Sequence, residues 1–194
     1  RISYSESKDL VSWSQPEVIL DPDELDAPML YGMTVTRYQG VYLGFLQMYY
    51  QANAQRPNGA RPGPRFWKDG RTKKEGHIDI QLVWSRDGIH WEKHPERPIF
   101  LETGVLGVDL DWGMVFVNQG IVELGDKLLL YYRGDNVLHS PMDMSGWKAT
   151  FNLATLRKDG FVSLDTPGLG YMLTRPLLCP GGKLHVNAKT ADDG

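Results

Sequence analysis

The chain has 194 residues, 41% of them hydrophobic and 11% aromatic, with a formal net charge of −3. That length suits one domain, or one domain and part of a second, with enough residues for a proper core, and the charge gives no general attraction to nucleic acid or to an anionic membrane. The single cysteine, Cys179, excludes an internal disulfide framework and is read as a buried apolar thiol rather than a nucleophile, and no apolar run is long enough to cross a bilayer as a helix.

The start, Arg1-Ile2-Ser3-Tyr4-Ser5, has no Met and no signal peptide. It is read as a processed end or an internal piece of something longer, which leaves localisation open. Within residues 1–20, Ser7-Lys8-Asp9-Leu10-Val11-Ser12-Trp13 aligns with Ser85-Arg86-Asp87-Gly88-Ile89-His90-Trp91, an offset of 78 residues, 7 to 85. Ser, Asp and Trp coincide, and each copy then runs through proline to an apolar pair, Ile19-Leu20 or Ile99-Phe100. Asp87-Gly88 is a tight-turn signal, with Trp91 expected to plug the space beside the hairpin as Trp13 does in its copy. LATLRKDGFVSL, with Asp159-Gly160, is a weaker third copy without the Trp. A period this long with a turn in each β-rich unit points to propeller blades.

Residues 33 to 50 read as two strands around Gln39-Gly40, and residues 113 to 133 repeat the form with a hairpin at Gly125-Asp126. Acidic stretches lead into both: DPDELDAPMLYG and GVDLDWG. No segment has sustained helical periodicity. Residues 51 to 76 differ: seven Lys or Arg oppose two acids among Pro, Gly and Asn, as expected of a long basic surface loop. That loop is either a solvated insertion or a rim, containing Phe66-Trp67, that contacts substrate. At the end, two short apolar runs around Leu173 and Leu184 flank Pro180-Gly181-Gly182. They are expected to form the first hairpin of a β-sandwich over 171–194, after propeller blades over 1–170.

The S-x-D-G-x-x-W turns, the acidic lead-ins, and LATLRKDGFVSL running on to LTRPLLCPGGKLHVNA together resemble the five-bladed β-propeller glycosidases of the invertase and arabinanase type (glycoside hydrolase families 32 and 43 and relatives). In bacterial relatives of these enzymes a propeller passes into a β-sandwich through a similar segment. The resemblance covers nearly the whole chain outside 51–76. It implies an all-β fold, a five-bladed propeller of which this chain holds about two to three blades, with the start of a sandwich. The Asn-Asp-Pro-Asn, Arg-Asp-Pro and Glu-Cys runs of the invertase type are absent from the sequence. Part of a ring leaves open edges, so a homo-oligomer or a second chain completing the propeller is expected.

The resemblance also implies hydrolysis of a glycosidic bond by paired carboxylates at the mouth of a central funnel. Asp26 and Asp111 are the candidates, since each precedes a Gly-Met strand start, Gly32-Met33 or Gly113-Met114. The alternative is that both are surface or capping acids. Trp112 could stack on a pyranose or serve the core. Tyr132, Arg133, Asp135 and His139 could form a polar cluster at the rim, with His77 and Asp79 entering the preceding strand. The substrate-binding set is therefore Trp112, Arg133, Asp135, His139 and His77. No zinc or calcium spacing occurs. No cofactor is required, and a structural calcium ion enters by resemblance alone. The setting it implies is a secreted or periplasmic bacterial enzyme. A non-catalytic carbohydrate-binding propeller, and an inactive fragment needing a partner chain, are the competing readings.

Overall fold

The computed structural model describes residues 1–26, 29–51, 76–118, 120–141, 143–176, 178–179 and 181–188. The interior of the expected basic loop, Phe66-Trp67 included, lies outside these. The chain is all-β, with no helix among the described residues. A ribbon pairs β1 (Ile2–Tyr4) with β2 (Glu17–Leu20). A meander follows: β3 (Met29–Tyr38), β4 (Val41–Gln51), β5 (Gly76–Ser85) and the short β6 (Trp91–Lys93), each antiparallel to the one before. β7 (Ile99–Leu101) also lies on β5. A second group comprises β8 (Met114–Val117), β9 (Val122–Leu124), β10 (Lys127–Asp135) and β11 (Ala149–Arg157), with β10 flanked by β11 on one edge and by β8 and β9 on the other. A single parallel pair, Ile78 with Met114, joins the groups into one curled sheet.

Turn chemistry explains the boundaries. Gln39 and Gly40 both have positive φ, 48° and 80°, the pattern of the two-residue turn that suits the twist of a hairpin. Gly125, at φ 60°, begins the equally short turn between β9 and β10. The two aligned Ser-x-Asp turns are the same structure. Asp9 Oδ1 accepts from the N–H groups of Val11 and Ser12 at 2.9 and 2.7 Å, and Asp87 Oδ1 from those of Ile89 and His90 at 2.9 and 2.8 Å. Ser7 and Ser85 donate their hydroxyls to the same oxygens. The backbone donors hold the Asp9 carboxyl down at about 2, and the His90 ring and backbone hold Asp87 lower still.

The copies differ one residue on. Gly88 has φ 82°, where glycine is at ease, but its counterpart Leu10 is held at φ 61° with its side chain exposed. A left-handed leucine costs roughly 1–2 kcal/mol. Leu10→Gly is therefore expected to stabilise the chain by about 1 kcal/mol after the entropy of glycine is set against it. A denaturant midpoint that falls, at unchanged slope, would contradict this.

Trp91 packs as expected: a Cβ on Gly44 would meet its ring at 2.9 Å, and its indole donates to the Gly88 carbonyl at 3.0 Å. Trp13 does not, being 57% exposed. The third copy also departs. Its turn is a tighter one closed by the Gly160 N–H on the Arg157 carbonyl, and Asp159, not the glycine, takes the positive φ. Cys179 is exposed, contrary to the buried thiol expected: the described residues of 162–188 are all exposed, and none of them is in a strand.

Three layers result. Leu43, Phe45, Ile80 and Leu82 from the first meander meet Val115, Val117, Leu128 and Leu130 from the second group in the main core. On its other face the meander packs Leu30, Leu46, Met48, Tyr50 and Val83 against Leu20 and Ile2 of the ribbon. β5, buried on both faces, is the centre of the molecule. The far face of the β8–β11 group stays open, and the candidate site lies at one end of it.

Candidate binding site

Strand register builds this site. β8 and β10 pair Met114 with Asp135 and Phe116 with Arg133, so these four side chains share one face, while Val115, Val117, Leu128 and Leu130 turn to the core. A register shift in β3 between Leu30 and Gly32 brings Tyr31 beside them. His139, just beyond β10, is fixed by its backbone: its N–H donates to the Gly76 carbonyl at 2.7 Å and its carbonyl accepts from Gly76 at 3.3 Å. Trp147 stands before β11.

The side chains form one continuous cluster. The His139 ring lies 4.9 Å from Tyr31 and 4.7 Å from Tyr49, centre to centre, and Tyr31 is 5.9 Å from Phe116. The Arg133 guanidinium sits 5.7 Å from the Phe116 ring and 5.9 Å from the Trp147 ring. Each such cation–ring contact is worth about 0.5–1 kcal/mol where exposed. Asp135, fully buried, ties the far end together: its Oδ1 accepts from Arg133 Nη2 at 2.7 Å and from the Trp147 indole at 2.8 Å. Tyr31, Arg133 and Trp147 remain close to half exposed.

Charge in the cluster balances. The Arg133 cation faces the Asp135 carboxylate, and burial pushes the His139 imidazole below its ordinary value, so the ring is neutral at pH 7. His139 Nε2 lies 3.2 Å from the Tyr31 hydroxyl and Nδ1 2.9 Å from Ser140 Oγ. The surface thus offers flat apolar rings, planar guanidinium donors, and hydroxyl and imidazole groups of either hydrogen-bonding sense, with no net charge.

Of the residues expected from sequence, Arg133, Asp135 and His139 come together here. Asp111 stands on the opposite side of β10. Its Oδ2 accepts from the Tyr132 hydroxyl at 2.9 Å, and a Cβ on Gly134 would lie 2.2 Å from its own Cβ. Trp112 is half-buried in the turn after it. His77 is buried, stacked on Tyr50 with ring centres 4.8 Å apart, its Nε2 3.7 Å from Asp79. Asp26 sits elsewhere, in an ion-pair knot. Arg97 Nε reaches its Oδ1 at 3.1 Å, Lys93 Nζ its Oδ2, and Arg97 Nη2 meets Asp23 at 2.5 Å. Asp26 and Asp111 share no partner among the described residues.

Burial first, and then the Asp111 carboxylate, push the Tyr132 phenol up to about 12; burial and Asp159 do the same for Tyr38. Both phenols lose protons earlier when unfolded, near 10. Their stabilising contribution is therefore complete below pH 10 and lost as pH rises toward 12. Alkaline titration at 295 nm is expected to show Tyr132 and Tyr38 among the tyrosines that ionise late, with unfolding in that window. Tyr132→Phe should remove one of them. If every tyrosine titrated near 10 in the folded chain, the Tyr132–Asp111 and Tyr38–Asp159 bonds would not be formed.

Among the described residues no group of three or more His, Cys, Asp or Glu is placed to hold a metal ion. No protein-family model, curated protein or solved structure matches the chain.

Proposed function

We propose that the chain binds carbohydrate on this face. The observation that carries the reading is the line of half-exposed Tyr31, Arg133 and Trp147, held by buried Asp135 and partly buried His139. A sugar ring presents apolar C–H groups on its faces and hydroxyls around its edge. Aromatic faces take the first, and guanidinium, imidazole and phenol groups take the second. The charge balance favours neutral sugars over acidic ones.

The fold fits a propeller-type protein. The β3-to-β6 order is an antiparallel meander like a blade, and the Asp-Gly turns at 87 and 159 follow corresponding strands, β5 and β11. A hydrogen bond from Thr34 Oγ1 to the Val117 carbonyl, 2.9 Å, joins the first strands of the two groups, as neighbouring inner strands would be joined. On that reading further blades come from a second copy or another chain.

Glycoside hydrolysis is the second reading. It rests on Asp111, which accepts from the Tyr132 hydroxyl; Asp135, fully buried on the opposite face of β10, is not placed to share a substrate with it. Hydrolysis needs two carboxylates roughly 5–10 Å apart that both reach the substrate. Asp26, held by two cations, is reassigned to the fold.

An immobilised-glycan screen with the whole chain tests the proposal. Binding to at least one neutral glycan, lost in Trp147→Ala, is expected; a wide screen with no binder would sink it. Reducing-end assays on any ligand found separate the readings. Turnover abolished by Asp111→Asn favours the enzyme, and tight binding without turnover favours the binding module.

A further inference from the structure

The strand β11 has an open edge. It pairs with β10 along all nine residues, Ala149–Arg157, and with no other strand among the described residues. Its counterpart β5 has the equivalent edge filled by β6 and β7. An edge of this length is normally blunted by charge, proline or a bulge, because its unpaired N–H and C=O groups are a template for another strand. Here Ala149 to Leu156 carries no charge, no proline and no bulge. Its exposed side chains are Ala149, Phe151, Leu153, Thr155 and Arg157, apolar up to Leu153: Phe151 is 71% exposed and Leu153 48%, and Phe151 stacks on Tyr131 of β10 with ring centres 5.4 Å apart.

We propose that this edge is the interface with a second copy of the chain, β11 pairing antiparallel with β11 about a two-fold axis through Leu153. Self-complementarity is the argument for that partner. Leu153 is the midpoint of the strand, so a pairing centred there uses its whole length. It sets Leu153 against Leu153, Phe151 against Thr155, and Arg157 against Ala149, so the strand's only charge never faces its own copy. Aromatic-to-threonine and leucine-to-leucine pairs are favourable cross-strand neighbours. Arg157 is further held at the strand end by Asn187 of the same chain. The interface is independent of the carbohydrate reading, and it uses an outer edge rather than the faces that a completed ring would cover.

The test is the mass of the whole chain by sedimentation, with disulfide trapping in a Cys179→Ser background. Directly opposed residues of an antiparallel pair have Cα atoms about 4.5–5.5 Å apart, within disulfide reach. Leu153→Cys should therefore trap a covalent dimer. Phe151→Cys should not, since the two copies of residue 151 would stand about 14 Å apart. Leu153→Lys, at an exposed position that keeps the fold, should weaken dimerisation at least tenfold. A monomer at every concentration would overturn the proposal. So would a dimer that Leu153→Cys fails to trap, or one that Phe151→Cys traps equally well.

Discussion

Asp26→Ala is expected to destabilise the chain by about 3–5 kcal/mol, the usual cost of removing one member of a buried ion-pair group. The Asp26 side chain is fully buried, and Lys93 and Arg97, which it neutralises, are only 8% and 10% exposed. Without it the two cations keep only Asp23, itself half exposed, as a counter-charge beside the Asp21 and His94 carbonyls. Asp26→Asn keeps the shape and an acceptor, so a smaller loss is expected. The measurement is the urea midpoint at constant slope. Below the unfolding transition, glycan binding should survive in both variants, because the knot joins the β2–β3 connection to the end of β6 and the turn after it. A folded Asp26→Ala chain of near-normal stability would contradict the structural role and return Asp26 to the list of reacting acids.

Arg133→Ala is expected to weaken glycan binding by about tenfold to a hundredfold, about 1.4–2.8 kcal/mol, and to lower stability as well, because the fully buried Asp135 carboxylate loses its counter-charge. Three effects coincide. The guanidinium donors are lost, Asp135 keeps a buried charge with only the Trp147 indole as partner, and the ring of Trp147 loses the flat cation beside it. Arg133→Lys is the sharper variant. Lysine restores the charge but not the plane or the fork, so it should recover little of the affinity. Full recovery by lysine would mean that only charge matters there, and would favour an acidic ligand over a neutral one.

What could be read from the sequence was local. The hairpins at Gln39-Gly40 and Gly125-Asp126 follow from residues within the turn itself. The matching turns at Asp9 and Asp87 likewise depend on hydrogen bonds spanning only two or three residues. The polar run from Arg133 to His139 was visible because one strand and its exit carry it. What escaped was non-local. Nothing near Asp26 in sequence shows Lys93 and Arg97, 67 and 71 residues on. Tyr31 and His139 meet across 108 residues. Phe116 was within reach of inference: alternation in Met-Val-Phe-Val puts residues 114 and 116 on one face. Trp147 gave no signal, since its place is set by an indole bond to Asp135 across an irregular loop.

The proposed carbohydrate face can be probed one side chain at a time through the indole N–H resonances, because the Trp147 donor is held by Asp135 inside the site while those of Trp91 and Trp13 lie in or near the repeated turns. Titrating the isotope-labelled chain with an oligosaccharide taken from the glycan screen should shift the Trp147 indole progressively to saturation and leave Trp91 and Trp13 in place. Saturable binding that moves another indole and not Trp147 would place the ligand elsewhere and contradict the assignment of this face.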